Sequence, residues 1–381
     1  MIYLDHGATS FPKPPAVVRA VRAYLEESAA NPGRSGHRLS AAAARVIYDA
    51  RAALARLLGA PDPRQIVFTG NATGALNLAL HGVLRPGDHV VTTSMEHNSV
   101  MRPLQHLRQT RGIRVRCAPA DVAGRIDAGA IADALETDTR LVVVNHASNV
   151  VGTIAPLAEI RRAIGDRLLL VDAAQTAGAT PIDVTAPQID LLAFTGHKSL
   201  LGPQGTGGLY IRPGVALEPL MPGGTGSRSE SDSQPDFLPD RYEGGTPNGP
   251  GIAGLGAGVS ELLERGMDAV REHEARLLER LLARLQEIAG VTLWGPHDAA
   301  QRIPAVSLRL DGMAPSELAH ALDRRYGVLA RAGLHCAPQA HRTLGTFPEG
   351  SLRLSCGWTN TPQEIDGAAG AIAELAREAM R

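Results

Sequence analysis

One lysine lies at the junction between an apolar segment and a glycine-rich segment, in the stretch FTGHKSLLGPQGTGGLY from Phe194 to Tyr210. The preceding run IDLLAFT has the character of a buried strand, so a rigid framework would hold Lys198 in place. Most lysines are solvated surface residues, and that interpretation stays open for Lys198 taken alone. The alternative is a nucleophilic amine whose pKa is lowered by removal from water and by neighbouring charge.

Other side chains that could take part in chemistry follow the remaining apolar runs. Ligands of open α/β sheets bind beyond the carboxyl ends of the strands, so side chains at those ends are expected to share one site. The turn GNATGALN after IVFT is suited to hold a phosphate with Thr73 and backbone N–H groups. The other strand ends supply His97, Asn149, Asp172, Gln175, His197 and Lys198. A phosphate turn, an imidazole, a buried acid and a lysine are the parts that a pyridoxal phosphate (PLP) site requires.

These residues need a framework that brings the strand ends together. Short apolar runs alternate with segments long enough for crossover helices over residues 15–250. This pattern predicts a large α/β domain whose mostly parallel sheet is covered on both faces. Residues 251–381 start with a long helical stretch and then alternate, which predicts a smaller C-terminal α+β domain. Segment 1–14 is expected to pack near that smaller domain.

Two local features are also expected from the sequence. The helix in LSAAAARVIYDARAALARLLGA is predicted to have Ser40 as its N-cap and to end at Gly59. The polar, glycine-rich segment 221–251 is predicted to be a long functional loop without a stable element of its own.

Composition excludes several classes of protein. A chain of 381 residues with 44% hydrophobic content can bury a large core in two domains. A net charge of -1 without blocks of like charge, and 3% aromatic residues, make nucleic acid a poor partner.

Cys117, Cys336 and Cys356 form no CxxC pair, so we expect neither a disulfide framework nor a metal site. Cys117 is predicted to be buried. The opening MIYLDHGATS resembles neither a secretion signal nor a membrane span, which predicts a cytoplasmic protein.

As a set, the motifs resemble the cysteine desulfurases of the class V aminotransferase fold, and the Suf-type group in particular. The matching strings are YLDHGATS, FTGNATGALN, MEHNS, HASNVVGT, VDAAQ, TGHKSLLGPQGTGGLY, YEGGTPN and RAGLHCAP. The chain departs from the family pattern at Gly7-Ala8, where two alanines are usual, and at Ala72, where a second threonine is usual. The resemblance covers essentially the whole chain. It implies the PLP-dependent transferase fold (fold type I) and a homodimer.

The resemblance also implies a role for each residue at a matching position. Lys198 would bind PLP covalently and later move the Cα proton of the substrate. Asp172 would keep the pyridine nitrogen protonated, so that the ring can act as an electron sink. His97 would stack on the ring, and Gln175 would bind its phenolic oxygen. Further cofactor contacts are expected from Ala72, Thr73, Asn149, Thr195, His197 and, across the subunit interface, Thr246.

For the substrate, the resemblance implies that L-cysteine becomes L-alanine while its sulfur passes to Cys336 as a persulfide, for delivery to an acceptor protein. Asn149 and Arg353 would hold the substrate carboxylate, Arg353 through a two-pronged (bidentate) contact. Arg331 is expected to be a further substrate-binding residue, near the cysteine. His335 or Arg331 could favour the reactive thiolate of Cys336. From the residues alone, Arg353 could equally be an ion-paired arginine, and His335 and His341 could be solvated loop residues. Cys356 is expected to be structural.

Other functions stay open at this point. Selenocysteine lyases, kynureninases and epimerases have the same fold, and the latter two need no cysteine at this position. A non-catalytic scaffold or regulatory binding protein is the alternative from another class, although it would have no use for Lys198, Asp172 and Cys336 together.

Overall fold

A seven-stranded sheet with helices on both faces forms the large domain. The computed structural model describes residues 1–33 and 35–380. The strands are β1 (Ile2–Tyr3), β2 (Ile66–Thr69), β3 (His89–Thr93), β4 (Arg114–Ala118), β5 (Thr139–Asn145), β6 (Leu168–Asp172), β7 (Leu191–Thr195), β8 (Gly207–Ile211), β9 (Val291–Trp294), β10 (Ala305–Leu310), β11 (Val328–Leu329), β12 (Arg331–Gly333) and β13 (Ser351–Ser355). The helices are α1 (Pro15–Glu27), α2 (Arg38–Leu58), α3 (Ala72–Val83), α4 (Asn98–Arg111), α5 (Ala128–Asp133), α6 (Leu157–Ile164), α7 (Gly249–Arg265), α8 (Met267–Gln286), α9 (Pro315–Tyr326), α10 (Pro338–Thr343) and α11 (Pro362–Ala379).

The strand order of the large sheet is β2-β8-β7-β6-β5-β3-β4. The strands from β4 to β7 run parallel, whereas β8 is antiparallel to both of its neighbours. Successive residues of β5 alternate between two cores: Val142 and Val144 share one with α2, α6 and α7, and Leu141 and Val143 share the other with α3 and α4. Burial on both faces explains why the strands are apolar throughout. The predicted mostly parallel sheet is confirmed.

A second sheet, in the order β12-β13-β10-β9, is antiparallel throughout. Helices α8, α9 and α11 contribute leucines and isoleucines to its core, including Leu278, Leu318 and Ile372. This second body is the smaller C-terminal domain that the sequence predicts.

The long helical stretch after residue 250 is two helices, because Gly266 adopts a positive φ of 82° between α7 and α8. Leu255 and Val259 of α7 belong to the core of the large domain, whereas the leucines of α8 belong to the small one. We therefore propose that the domain boundary lies at Gly266 instead of residue 251.

The N-terminal segment contacts both domains. Strand β1 pairs with β11 in parallel, and Leu4 is buried in the core of the small domain. Farther along, Thr9, Ser10 and Lys13 all donate hydrogen bonds to the backbone carbonyl of His197 in the large domain. The segment therefore reaches the backbone next to Lys198.

Two local predictions were wrong and one is confirmed. The N-cap of α2 is His37, which accepts from the Ser40 backbone N–H, so Ser40 lies inside the first turn. Cys117 is exposed, because β4 is the edge strand of the large sheet and has a solvated face. Gly59 ends α2 in the left-handed conformation, as predicted.

The polar segment between β8 and α7 contains no helix or strand, in agreement with the prediction of a long loop. Among residues 1–33 and 35–380, no helix combines the length and apolar character needed to cross a membrane.

Candidate active site

The carboxyl ends of β5, β6 and β7 border a cavity of about 290 Å³. Both domains contribute to it, as expected for strand ends covered by a smaller domain. The predicted site residues that line this cavity are Ala72, Thr73, His97, Asn149, Asp172, Gln175, Thr195, His197, Lys198, Arg331 and Arg353. Cys336 lies beside it, in contact with Arg331, whereas Thr246 does not line it.

Lys198 follows the end of β7 and projects into the cavity. Burial lowers the pKa of this amine to about 8, and the negative charge of Asp172 acts in the opposite direction. The cations Arg353 and Arg331 lower the pKa further. Much of the lysine population is therefore neutral near pH 8, which is the nucleophilic form.

Asp172 ends β6, and its Oδ1 accepts a hydrogen bond of 2.9 Å from the backbone N–H of Ala174. Burial raises its pKa, while that hydrogen bond and the charge of Lys198 oppose the rise. A second buried acid, Glu96, has its pKa raised to about 8 by burial, although Thr93 and the backbone of Asn145 donate to it. At neutral pH Glu96 is mainly protonated, and of these two acids Asp172 is the one that lines the cavity.

Hydrogen-bond donors converge on another part of the cavity. Asn71 caps α3 by accepting from Gly74, and the first residues of the helix, Ala72 and Thr73, line the cavity. The buried Oγ1 of Thr195 and Nδ1 of His197 have no hydrogen-bond partner within the described residues. A helix N-terminus with unpaired hydroxyl and imidazole groups fits a phosphate.

His97 is the N-cap of α4, and its Nδ1 accepts from the backbone N–H of Ser99 at 3.0 Å. Burial lowers the pKa of His97 to about 4, and the charge of Lys198 lowers it as well. The ring is therefore neutral at physiological pH.

Gln175, Asn149 and Arg353 all have protein partners. Nε2 of Gln175 donates to the carbonyl of Gly7 at 3.0 Å, and Nδ2 of Asn149 donates to the carbonyl of His335 at 2.6 Å. Arg353 is almost fully buried, and its two Nη atoms donate to the carbonyl of Asn149 and to Asp5. Its Nε and the Oδ1 of Asn149 lack partners among residues 1–33 and 35–380. These two atoms remain to bind a ligand.

Cys336 is an exposed residue in a loop of the small domain, with a left-handed backbone at φ 57°. Its carbonyl accepts from the backbone N–H of Asn98 at 2.8 Å, so the loop is tied to the start of α4. Nη2 of Arg331 lies 3.7 Å from Sγ and can donate a hydrogen bond to it.

Of the alternatives left open for these histidines, the structure supports neither a cationic His335 beside Cys336 nor solvated rings at His335 and His341. Their rings are buried, lie 5.5 Å apart, and interact with Ser351 and Thr346. Burial lowers the pKa of His335 to about 2, so this ring brings no positive charge to Cys336. These histidines hold the loop together. Cys356 is buried in the core of the small domain, as expected.

Thr246 is exposed on the single chain. Its expected contact with the cofactor of a neighbouring subunit stays a prediction.

Several cavity residues were not singled out from the sequence. Asn145 ends β5 directly opposite Asp172 in the sheet, so inspection of every strand end could have found it. Ser99 is the last residue of the string MEHNS, and its hydroxyl contacts both His97 and Thr73. Gly7 also lines the cavity, and a Cβ at this position would lie 3.0 Å from Cζ of Arg353, closer than ordinary van der Waals contact.

Comparison with known proteins places this arrangement in a family. Residues 2–367 match the family described as Aminotransferase class-V. The chain belongs to this family. It is therefore a class V enzyme of the PLP-dependent fold type I, and its relatives support the narrower resemblance to cysteine desulfurases.

One relative is a probable cysteine desulfurase of Methanothermobacter thermautotrophicus, which is 38% identical over 98% of this chain and 94% of its own length. The cysteine desulfurase of Haloferax volcanii is 35% identical over 99% of this chain and 90% of its own. Among solved structures, the apo cysteine desulfurase of Thermococcus onnurineus superposes with a TM-score of 0.92 at 32% identity, covering 99% of this chain and 95% of that one.

Proposed function

We propose that this chain is a PLP-dependent cysteine desulfurase that converts L-cysteine to L-alanine and retains the sulfur on Cys336. The observation that carries the proposal is the meeting of Lys198 and Asp172 in one cavity, beside a cysteine loop that is tied to the same domain through Asn98 and Asn149. A scaffold or regulatory protein would need neither the lysine nor the cysteine.

The unpaired donors of the cavity fit the phosphate of PLP. The start of α3, with Ala72 and Thr73, would hold the phosphate together with Thr195 and His197. Asp172 would hold the pyridine nitrogen, and Gln175 and His97 would contact the ring. When bound, PLP supplies an electron sink that stabilises negative charge at the substrate Cα.

The protein's own groups then have definite tasks. Lys198, with its pKa near 8, can take the Cα proton of the substrate and return it at another carbon. Arg353 would bind the substrate carboxylate through its unpaired Nε, with Asn149 beside it. Each Nη atom donates one of its two N–H groups to Asn149 or Asp5, so the two-pronged contact with the substrate carboxylate that the resemblance implies stays a prediction.

Sulfur transfer requires the thiolate of Cys336 to attack Sγ of the substrate. The Cβ–Sγ bond breaks, its electron pair stays with the carbon that becomes the alanine methyl group after protonation, and an S–S bond forms on Cys336. A soft nucleophile is needed for this step, and a serine hydroxyl cannot replace it. Nη2 of Arg331 would donate to the attacking sulfur.

Substitution of the cysteine tests the proposal. In Cys336→Ser, L-cysteine should still change the absorbance of the bound cofactor, because Lys198 and Asp172 are intact, while persulfide and alanine formation should collapse. Cys117→Ser is the matched control, because Cys117 is also exposed but lies on the edge strand β4. A Cys336→Ser enzyme that turns over L-cysteine at the wild-type rate would favour a lyase, such as a selenocysteine lyase, over a desulfurase.

The assembly and the acceptor are part of the same proposal. We infer a homodimer in which Thr246 of the exposed loop reaches the cofactor of the neighbouring subunit, and a cytoplasmic protein that passes sulfur to an acceptor protein. A monomer with full activity in size-exclusion chromatography would contradict the dimer. Co-purification of a protein that accepts the persulfide would identify the pathway, with iron–sulfur cluster assembly as one destination.

A further inference from the structure

We propose that neutral His97 carries its proton on Nε2, and that Ser99 is the positioning residue that fixes this tautomer. The backbone N–H of Ser99 points at Nδ1 of His97 over 3.0 Å. A backbone N–H can only donate, so Nδ1 must be the acceptor of the ring. In a neutral imidazole the other nitrogen then bears the hydrogen.

The surroundings keep the ring in this single form. Burial lowers the pKa of His97 to about 4, and the cations Lys198, Arg331, Arg102 and Arg353 lower it further. The ring therefore carries one proton at neutral pH. Because His97 lines the cavity and its Nδ1 edge is held by Ser99, the Nε2 edge is the one available to a ligand.

The side chain of Ser99 extends the same arrangement to the phosphate turn. Its Oγ lies 2.9 Å from Nδ1 of His97 and 2.7 Å from Oγ1 of Thr73. The hydroxyl can donate in either direction, but the backbone N–H keeps Nδ1 an acceptor in both cases. Ser99 thus joins the start of α4, which carries the imidazole, to the start of α3, which is proposed to hold the phosphate.

The chemical consequence rests on the proposed function. His97 would offer an N–H to a substrate atom above the cofactor, and it could accept a proton there only after giving up its own. His97 is thereby assigned as a hydrogen-bond donor in the resting enzyme. Ser99 would affect the reaction only through its contacts with His97.

The tautomer can be measured without any turnover. Holoenzyme labelled with [15N]histidine should show, at pH 7 and without substrate, a His97 signal with unprotonated Nδ1 and protonated Nε2, identified by its loss in His97→Gln. A protonated Nδ1, whether in the opposite tautomer or in an imidazolium, would overturn the assignment. This result does not depend on whether L-cysteine is the substrate.

Two substitutions separate the positioning role from a structural one. His97→Asn keeps a side chain that caps α4 well but lacks Nε2, so thermal stability should be retained while turnover falls on the order of 10²-fold. Ser99→Ala keeps the backbone N–H that fixes the tautomer but removes the hydroxyl contact to the ring, so it should lower kcat about 3- to 10-fold with KM nearly unchanged, and Ser99→Thr should restore kcat. Wild-type kcat in His97→Asn, or no difference between Ser99→Ala and Ser99→Thr, would contradict the proposed roles.

Discussion

Two walls of the cavity are held in different ways. The strand-end wall consists of Asp172, Thr195 and Lys198, which follow neighbouring parallel strands and are fixed by the register of β6 and β7. The loop wall consists of residues 331–336, a segment of the small domain that includes two successive left-handed residues, His335 and Cys336. Its position depends on hydrogen bonds from large-domain groups, Asn98 N–H and Asn149 Nδ2.

The difference indicates that the two walls serve different functions. A group that must bind a cofactor precisely is positioned more accurately by a strand backbone that is buried on both sides. A group that must first reach the substrate and then present sulfur to another protein gains from an exposed loop, and Cys336 is exposed. If this view is right, changes in the strand-end wall should affect the chemistry, whereas changes behind the loop wall should affect how Cys336 is positioned.

The largest effect is expected at Lys198. Lys198→Ala removes the only amine in the cavity lining and should reduce turnover below detection. The chain has two lysines, so Lys13 is an internal control. Borohydride treatment of the wild-type holoenzyme followed by peptide mapping should find the cofactor on Lys198 and none on Lys13. A label on Lys13 would place the chemistry away from the strand-end wall.

A smaller but still large effect is expected for Asp172→Asn. A neutral amide cannot keep the ring nitrogen of the cofactor protonated, so turnover should fall on the order of 10²-fold. Asp190→Asn is the matched control, because Asp190 is a buried acid that pairs with Arg161 and Arg212 outside the cavity. The control should lose thermal stability while each folded molecule keeps its activity. Equal losses of activity in the two variants would show that burial, and not position, explains the effect.

The two walls also differ in how far sequence reasoning could go. Each residue of the strand-end wall follows an apolar run, and the carboxyl ends of parallel strands must meet, so their proximity was predictable. The hydrophobic pattern gave no comparable signal for Cys336, whose role was inferred from the resemblance of RAGLHCAP to a family.

The errors had specific physical causes. From the sequence, His335 and His341 could have been solvated loop residues, but each ring is buried and contacts a hydroxyl group that comes later in the chain, on Ser351 and Thr346 respectively. Cys117 was expected to be buried because its run is apolar, but position at the edge of a sheet cannot be read from one strand alone. The partners of Arg353 likewise come from distant segments, Asp5 and Asn149.

A moderate effect is expected where the loop wall meets the large domain. Asn149→Ala removes the hydrogen bond of 2.6 Å to the carbonyl of His335, so the loop should be less firmly held. Loss of one buried hydrogen bond should lower the rate of persulfide formation about 3- to 10-fold. Alkylation of Cys336, measured relative to the exposed Cys117 in the same molecule, should become faster. Unchanged alkylation would mean that other contacts hold the loop.

The smallest effect is expected in the pH dependence of folding stability, and it comes from His335, which is buried in the loop wall. The pKa of His335 is lowered to about 2 by burial, whereas an unfolded histidine has a pKa near 6.5. As the pH falls below 6.5 the unfolded state binds a proton at this residue and the folded state does not, so stability is lost on acidification. Between pH 7.5 and 5.5 this should cost about 1.4 kcal/mol.

His335→Gln should remove this contribution, so the variant should lose about 1.4 kcal/mol less than the wild type between pH 7.5 and 5.5. Denaturant midpoints measured at both pH values give the difference, which is independent of any constant cost of the substitution. His320→Gln is the matched control, because His320 is exposed on α9 and lies outside the loop wall. If His335→Gln and His320→Gln behave alike, His335 takes up a proton in the folded protein. The loop wall would then be more open to water than the strand-end wall.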